Sequence, residues 1–334
     1  MVDFSGFINL NKPKQWSSHD CVGRVRRLLN TKKVGHGGTL DPLATGVLPI
    51  AVGRATRLIQ YLPARKAYRA VVRFGVTTST DDLEGEVLTQ QSAAHLQRSD
   101  IEALLPKFTG ALSQTPPMFS AIQVGGKRLY DLARKGQQIE VPIRTVTIHQ
   151  LHIAEWHAQT AAPELVLDIH CGPGTYIRSL ARDMGEAVGT GATLAGLTRT
   201  HSNGFELKES LTLEALEAAI THNTFTPMPA GKAVQHLAML SLTPPLAKRW
   251  CMGQKLAISE PGITPPPNTN KLTSQHSKDQ MPADDVPHNS SPMPLRMMCA
   301  DTFLGIGEIR TSDYGDSEGS THHILAPKMV FTPY

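Results

Sequence analysis

Apolar and polar residues alternate with two different periods along this chain. A period of two over residues 66–74 predicts a strand that carries Tyr68 on its apolar face. Apolar residues three and four positions apart over residues 19–29 predict a helix, for which Ser17 or Ser18 is a suitable N-cap. Further strands are predicted at residues 7–10, 47–52, 144–156, 165–171 and 192–200, and further helices at residues 54–62 and 211–220.

Residues 35–49 hold a single carboxylate, Asp41, among small and apolar neighbours. Pro42 disfavours the α conformation at Asp41 and so presents the carboxylate from an extended backbone, while the glycines allow a bulky ligand to come close. On one interpretation Asp41 only caps a turn, since Asp-Pro commonly begins one. On the other, the carboxylate is placed for catalysis. Neither the dinucleotide fingerprint nor the Walker pattern is present, which excludes a nucleotide-phosphate loop.

Arg178 lies where a helix is predicted to begin, with Thr175 as its N-cap. The helix dipole disfavours a cation in the first turn, so Arg178 needs an anion from elsewhere. The partner of Arg178 is either water or a surface carboxylate, or it is Asp41.

Tyr68 also has two interpretations. Its apolar face favours a core tyrosine, whereas at the border of a cleft the ring would stack on a base, a contact worth roughly 1–3 kcal/mol.

The composition fits one large domain and one small one. Of the 334 residues, 40% are hydrophobic and 5% aromatic, which is enough for a core that is stable alone. No segment has the apolar length that crosses a bilayer, and no secretory leader is visible. The four cysteines are scattered, without the spacing of metal ligands, and are predicted to be free thiols. The sequence therefore predicts a cytoplasmic protein without a metal site.

The net charge of +4 is mild, so the distribution of the cations says more than their sum. The cations cluster on both sides of residues 35–49. Such a run is usually a solvated face, but beside a cleft it would contact phosphates. The acidic turn at residues 77–85 lacks calcium-loop spacing and is predicted to be solvated. The clustered cations are Arg24, Arg26, Arg27, Lys32, Lys33, Arg54, Arg57, Arg65, Lys66, Arg69 and Arg73.

Three stretches together resemble the TruB-type tRNA pseudouridine synthases. They read GHGGTLDPLATGVLP at residues 35–49, KAY at residues 66–68 and GTYIR at residues 174–178. The chain departs from the family pattern at Gly37, where threonine is usual, and at Phe119, where tyrosine is frequent. The loss of the threonine hydroxyl removes one polar group from residues 35–49, the central loop, and leaves His36 and Asp41 in place.

The resemblance implies a role for each of seven residues. Asp41 would be the nucleophile, Tyr68 would lie against the target base, and Arg178 would pair with Asp41. The remaining four would bind substrate: Tyr176 helps to hold the base, Leu197 gives it an apolar contact, His36 contacts the disturbed RNA loop, and Lys66 belongs to the family's Lys-x-Tyr motif.

The resemblance also implies an α+β pseudouridine-synthase fold, with a central mixed or antiparallel sheet flanked by helices. The catalytic domain would span residues 1–234, with a thumb-like insertion at about residues 115–143. A small β-rich, PUA-like domain would span residues 235–334. It is interrupted at about residues 261–294, where eight of the 24 prolines and no aromatic residues occur. That composition predicts a disordered insertion.

The implied reaction converts uridine 55 in the T loop of tRNA to pseudouridine, without a cofactor. The partner would be the T-arm of tRNA, with no membrane and no obligatory protein partner, and the chain would be a monomer. An alternative is a non-catalytic tRNA-binding or tRNA-folding module on the same scaffold. The presence of Asp41, Tyr68 and Arg178 together favours the enzyme. A small-molecule glycosidase would need a second positioned carboxylate.

Overall fold

Two mainly antiparallel β-sheets organise the chain. The computed structural model describes residues 4–120, 123–124, 126–129, 141–158, 161–264, 293–312 and 322–332. Within these residues, a ten-stranded sheet is built from residues 6–229 and a six-stranded sheet from residues 239–330. The fold is therefore the predicted combination of a central mixed sheet with helices and a small β-rich second unit.

The strands, in chain order, are β1 (Gly6–Lys12), β2 (Val34–His36), β3 (Thr45–Val52), β4 (Lys66–Phe74), β5 (Val76–Thr78), β6 (Val87–Gln90), β7 (Gly110–Gln114), β8 (Gln123–Val124), β9 (Lys127–Arg128), β10 (Arg144–His157), β11 (Glu164–Cys171), β12 (Ala192–Ser202), β13 (Phe205–Glu206), β14 (Met228–Pro229), β15 (Met239–Leu242), β16 (Leu256–Ala257), β17 (Ile263–Thr264), β18 (Pro294–Cys299), β19 (Thr302–Ser312) and β20 (His322–Val330). The helices are α1 (Ser18–Leu28), α2 (Arg98–Leu104), α3 (Ile177–Ala187), α4 (Leu213–Thr221), α5 (Ala230–Ala233) and α6 (Pro244–Cys251).

The larger sheet joins distant parts of the chain. Its strands lie in the order β14, β1, β3, β12, β4, β11, β10 and β7, while β2 pairs with β3 and β13 with β12. Strand β12 runs parallel to β3, with Thr198 opposite Thr45 and Arg199 opposite Gly46. Gly46 has φ +100°, and a Cβ there would lie 2.3 Å from the carbonyl oxygen of Arg199. Only glycine allows the two backbones to approach this closely.

Strand β4 carries the alternation that its sequence predicts. Ala70, Val72 and Phe74 are buried on the core side, together with Tyr68, whereas Arg69 is exposed on the opposite side. This core lies between the sheet and the apolar sides of α1 and α3. The strand therefore delivers Tyr68 to the helix-covered face of the sheet.

Helix starts were predicted with mixed success. Ser17 caps α1 through a complete capping box with Asp20. Thr175 was the wrong N-cap for α3, because its hydroxyl donates back to the carbonyl of Gly172, and Tyr176 occupies the N-cap position without a side-chain bond. The helix predicted at residues 54–62 is a 3-10 helix over Gly53–Tyr61.

The second unit packs its six strands and α6 around Trp250, which is fully buried. A separate apolar cluster joins it to the large sheet, with Phe303 and Met329 beside Phe7 and Leu58.

The domain boundary near residue 235 stays a prediction. Most of the predicted insertion at 261–294, and much of the thumb-like segment at 115–143, lie outside the described residues. No helix in the described part of the chain is long and apolar enough to span a membrane.

Candidate active site

One cavity of about 850 Å³ opens beside the central loop. The loop before β3 forms one wall, the start of β4 and the turn after β5 form another, and the segment leading into α3 closes the third. All seven residues predicted from sequence line it: His36, Asp41, Lys66, Tyr68, Tyr176, Arg178 and Leu197. The structure therefore brings together residues that are up to 161 positions apart in the chain.

Asp41 and Arg178 form an ion pair at the floor of this cavity. The Nε of Arg178 lies 3.0 Å from Oδ2 of Asp41, and the side chains are 6% and 39% exposed, respectively. The direction of the Nε–H bond does not meet hydrogen-bond geometry, so the contact is chiefly Coulombic. The two terminal nitrogens of Arg178 donate to the carbonyls of Thr80 and Phe119, each at 3.0 Å. A fixed, buried guanidinium thus holds a carboxylate that remains open to a ligand.

Asp82 is a second carboxylate at Arg178, and its side chain is 5% exposed. Its Oδ2 lies 3.7 Å from Nε of Arg178, while Oδ1 accepts hydrogen bonds from the hydroxyl of Thr80 and the backbone N–H of Glu84. The prediction that the turn at residues 77–85 is solvated was wrong at this position. Backbone hydrogen bonds between the turn and Leu194 of β12 fold the turn inward.

The burial of Asp82 follows from contacts that are remote in sequence. Asp81 adopts φ +60° and accepts a hydrogen bond from Arg182 at 2.8 Å, which ties the turn to α3. The available signal in the sequence was the pairing of two acids in the turn with two arginines one helical turn apart, Arg178 and Arg182. Because periodicity says nothing about which turn meets which helix, that signal was not sufficient.

Tyr68 borders the cavity from the sheet side and is 7% exposed. Burial raises the pKa of its hydroxyl to about 12, although a hydrogen bond with the guanidinium of Arg199 acts in the opposite direction. The phenol is therefore protonated at neutral pH. The core interpretation of Tyr68 is confirmed, and the side chain also lines the cavity, where stacking on a base stays a prediction.

Arg199 was missed by the sequence analysis. Its side chain is fully buried and donates to the carbonyls of Gly38, Thr39 and Val47 at 3.0, 3.2 and 2.8 Å. These carbonyls stand on both sides of Asp41 in the chain, so one guanidinium clamps both ends of the central loop. It also holds the Tyr68 hydroxyl. The signal in the sequence was an arginine at an inward-facing position of a buried strand, because an arginine is rarely fully buried unless it is paired.

Lys12, the last residue of β1, holds the same loop through hydrogen bonds to backbone carbonyls. Its ammonium group is fully buried and donates to the carbonyls of Pro13, Trp16 and Pro42, the last at 3.4 Å. Burial lowers the pKa of Lys12 to about 8, against smaller opposing contributions from Cys21 and Asp41. The backbone that follows Asp41 is therefore fixed by a side chain from β1.

The remaining cavity residues differ in how firmly they are held. Burial lowers the pKa of His36, and its Nδ1 accepts a hydrogen bond from the backbone N–H of Gly38, which fits a neutral imidazole. The backbone of Tyr176 is held by both ends of the Gln114 amide, at 2.8 and 3.0 Å. Leu197 is half-buried at the cavity wall. Burial lowers the pKa of Lys66, with Arg199 contributing in the same direction.

The predicted basic rim is smaller than the sequence suggested. Arg24, Arg69 and Arg73 are paired with carboxylates within the chain, with Arg69 held by both oxygens of Asp168 at 2.8 Å. Within the described residues, no group of three or more His, Cys, Asp or Glu side chains is arranged to hold a metal ion. The ionisable groups that line this cavity are the carboxylates of Asp41, Asp82 and Glu84, the phenols of Tyr68 and Tyr176, the imidazoles of His19 and His36, and the cations of Lys66 and Arg178.

The fold is a pseudouridine-synthase fold. The chain superposes with a TM-score of 0.69 on a chain of the structure titled "Crystal Structure of a Cbf5-Nop10-Gar1 Complex", at 25% identity, covering 99% of this chain and 86% of that one. A similar fold occurs in the "Structure of H/ACA RNP bound to a substrate RNA containing 2'-deoxyuridine", with a TM-score of 0.67, 23% identity, and coverage of 100% and 91%.

Sequence comparison gives the particular family. Residues 26–177 match the TruB family pseudouridylate synthase (N terminal domain), and residues 178–230 match the tRNA pseudouridylate synthase B C-terminal domain. The tRNA pseudouridine synthase B of Trichormus variabilis is 47% identical over 330 residues, covering 98% of this chain and 99% of that protein. The protein of the same name from Acaryochloris marina is 55% identical over 251 residues, covering 75% and 86%. The chain belongs to the TruB family of pseudouridylate synthases.

Proposed function

We propose that this enzyme converts uridine 55 in the T loop of tRNA to pseudouridine, with Asp41 as the nucleophile. The observation that carries the proposal is the Asp41–Arg178 pair, in which a carboxylate that is 39% exposed rests on a guanidinium that is 6% exposed. The proposal is supported by relatives named tRNA pseudouridine synthase B that align over nearly the whole chain.

The reaction breaks the C1′–N1 bond of the target uridine and forms a bond between C1′ and C5. The proton on C5 is lost and N1 gains one, so no net oxidation occurs. A carboxylate assists either by attacking the electron-poor C1′ or by adding to C6 of the uracil. Asp41 is the candidate for both routes, because Arg178 and the backbone around Pro42 fix its position.

The target nucleotide must leave its stack before it reaches Asp41, which costs a few kcal/mol. Tyr68 offers a ring against which the uracil packs, and the protonated phenol adds no charge beside the base. Leu197 supplies an apolar contact, and the firmly held backbone of Tyr176 presents a second aromatic ring. His36, near the start of the central loop, then contacts the RNA loop from which the base has left.

The proposed enzyme acts as a single chain in the cytoplasm, on the T-arm of tRNA. The tRNA substrate is supported by curated relatives that are named for tRNA, one of which aligns over 98% of this chain. The following experiment distinguishes this enzyme from a non-catalytic RNA-binding module.

The test is release of tritium from C5-labelled uridine in an unmodified tRNA transcript. The wild type is expected to release one tritium per transcript, and a transcript with cytidine at position 55 none. Asp41→Asn is expected to bind tRNA without releasing tritium. The matched control is Asp301→Asn, which changes an exposed aspartate in the turn between β18 and β19 and should leave release unchanged. Equal release by Asp41→Asn and wild type would refute the assignment, and binding without release by the wild type would indicate the non-catalytic module.

A further inference from the structure

Two arginines of α3, Arg178 and Arg182, bridge the same two segments of the chain. They are one helical turn apart, so their side chains leave α3 on the same face. One segment is the acidic turn at residues 77–85, and the other, here called the proline segment, is residues 115–120 after β7. Arg178 lines the active-site cavity, whereas Arg182 is not among the residues that line it.

Arg178 joins the two segments through backbone carbonyls. Its Nη1 donates to Thr80 of the acidic turn and its Nη2 donates to Phe119 of the proline segment, each at 3.0 Å. Its Nε lies 3.0 Å from Oδ2 of Asp41. Because a guanidinium is planar and rigid, the spacing of the two carbonyls decides where the Nε edge points. The alignment of Arg178 with Asp41 therefore depends on the relative position of the two segments.

Arg182 repeats this bridge one turn further along α3. Its Nη1 donates to Oδ2 of Asp81 in the acidic turn at 2.8 Å, and its Nη2 donates to the carbonyl of Thr115 in the proline segment at 2.9 Å. Asp183 accepts hydrogen bonds from Nε and Nη2 of Arg182, at 3.0 and 2.7 Å. The guanidinium that ties the two segments together is thus itself held by its own helix.

The ion pair between Arg182 and Asp81 is mostly shielded from solvent, with side chains that are 23% and 15% exposed. Asp81 adopts φ +60°, which a residue other than glycine keeps only where its surroundings enforce it. Its carbonyl also accepts a hydrogen bond from Leu194 of β12 at 3.0 Å. Loss of Arg182 would leave a largely buried carboxylate without the arginine that pairs with it, directly beside the carbonyl of Thr80.

We propose that Arg182 is a positioning residue for the reaction, because it sets the spacing of the two carbonyls that orient Arg178. The proposal rests on the proposed function, since the group that Arg178 holds is the proposed nucleophile, Asp41. Arg182 acts through the acidic turn and the proline segment, without lining the cavity. A misplacement of about 1 Å at the reacting groups costs on the order of a hundredfold in rate, so a small change in spacing is enough to slow the reaction.

The test compares Arg182→Met, Arg182→Lys and Asp81→Asn with the wild type. Methionine removes the charge and both bridging hydrogen bonds, lysine keeps the charge without the planar fork, and asparagine keeps the size of the acid. Tritium release under single-turnover conditions, at saturating unmodified tRNA transcript, is measured together with tRNA affinity. Thermal melting fixes an assay temperature at which each variant is folded.

Arg98→Met is the matched control. Arg98 is an exposed arginine of α2 that pairs with Glu102 at 2.7 Å and does not line the cavity. Its replacement removes the same charge and a comparable ion pair, so it should leave both the rate and the affinity unchanged.

Arg182→Met is expected to slow single-turnover release about thirtyfold while tRNA affinity changes by less than about threefold. Arg182→Lys and Asp81→Asn should be slowed less, by about three- to tenfold. The double variant Asp81→Asn/Arg182→Met should match Arg182→Met within about twofold, because both substitutions break the same link.

A folded Arg182→Met variant with the wild-type rate would overturn the positioning role. A rate loss that disappears after correction for the folded fraction would also overturn it, since Arg182 would then be only structural. If Arg182→Met does not fold, wild-type rates in Arg182→Lys and Asp81→Asn overturn the proposal instead. A wild type that releases no tritium would overturn the proposed function, so the two failures are distinguishable.

Discussion

Asp82 and Asp41 contact the same arginine, Arg178. Because Asp82 is buried and Asp41 is partly exposed, removing Asp82 should destabilise the fold much more than removing Asp41. Asp82→Ala removes two hydrogen bonds, at 2.6 Å from Thr80 and at 3.0 Å from Glu84. Each contributes roughly 1 kcal/mol, and the loss of one buried charge beside Arg178 brings the total to about 3 kcal/mol. Asp41 is 39% exposed, so solvent screens its ion pair, and Asp41→Ala should cost only about 0–1 kcal/mol.

The measurement is equilibrium unfolding in urea, supported by thermal melting, where Asp82→Ala should lower the melting temperature by on the order of 8 °C. Asp41→Ala should melt close to the wild type yet release no tritium. In the double variant, Arg178 retains no carboxylate, so the combined cost should exceed the sum of the single costs by about 1 kcal/mol or more. Equal costs for the two single variants, or strict additivity, would refute this account of the site.

Three further predictions concern the central loop and its titrating neighbours. Arg199→Met should lower the single-turnover rate by about a hundredfold while tRNA affinity changes by less than about threefold, since it frees both ends of the loop without removing a ligand group; Arg199→Lys should recover part of the rate. Gly46→Ala should destabilise the fold by at least about 2 kcal/mol in urea unfolding, because φ is +100° and the Cβ meets a carbonyl oxygen. His36 and His201 both have a lowered pKa in the folded state, so below about pH 6.5 the unfolded chain binds more protons and stability falls as pH decreases. Urea titrations at about pH 7.5 and about pH 5.5 measure that loss, and His36→Gln should reduce it.

The sequence was most informative where local pattern and local chemistry coincide. The alternation in residues 66–74 predicted the buried side of β4, and the family resemblance carried by residues 35–49, 66–68 and 174–178 predicted seven residues that line the active-site cavity. Ser17 was identified as a possible cap because an N-cap bond is made within one helical turn. The alternation of β4 and the N-cap are decided by residues that are close together in the chain, whereas the cavity residues were found through the family resemblance.

The failures concern interactions that only the tertiary fold creates. Asp82 was predicted to be solvated, but β12 and α3 cover the turn that carries it. Arg199 was overlooked because its acceptors are backbone carbonyls about 150 residues away, which no side-chain pattern records. Arg69 was counted in a basic rim, although its charge is cancelled by Asp168 on the neighbouring strand.

The parallel pairing of β3 with β12 has a consequence for how the protein is made. Thr45 meets Thr198, which lies 153 positions later, so this contact forms only after most of the chain has left the ribosome. The first half supplies Asp41 and Tyr68, while Arg178 and Arg199 arrive in the second half. A nascent chain therefore carries the proposed nucleophile without the cations that position it, and we expect the ability to modify RNA to emerge only after the second half has been synthesised.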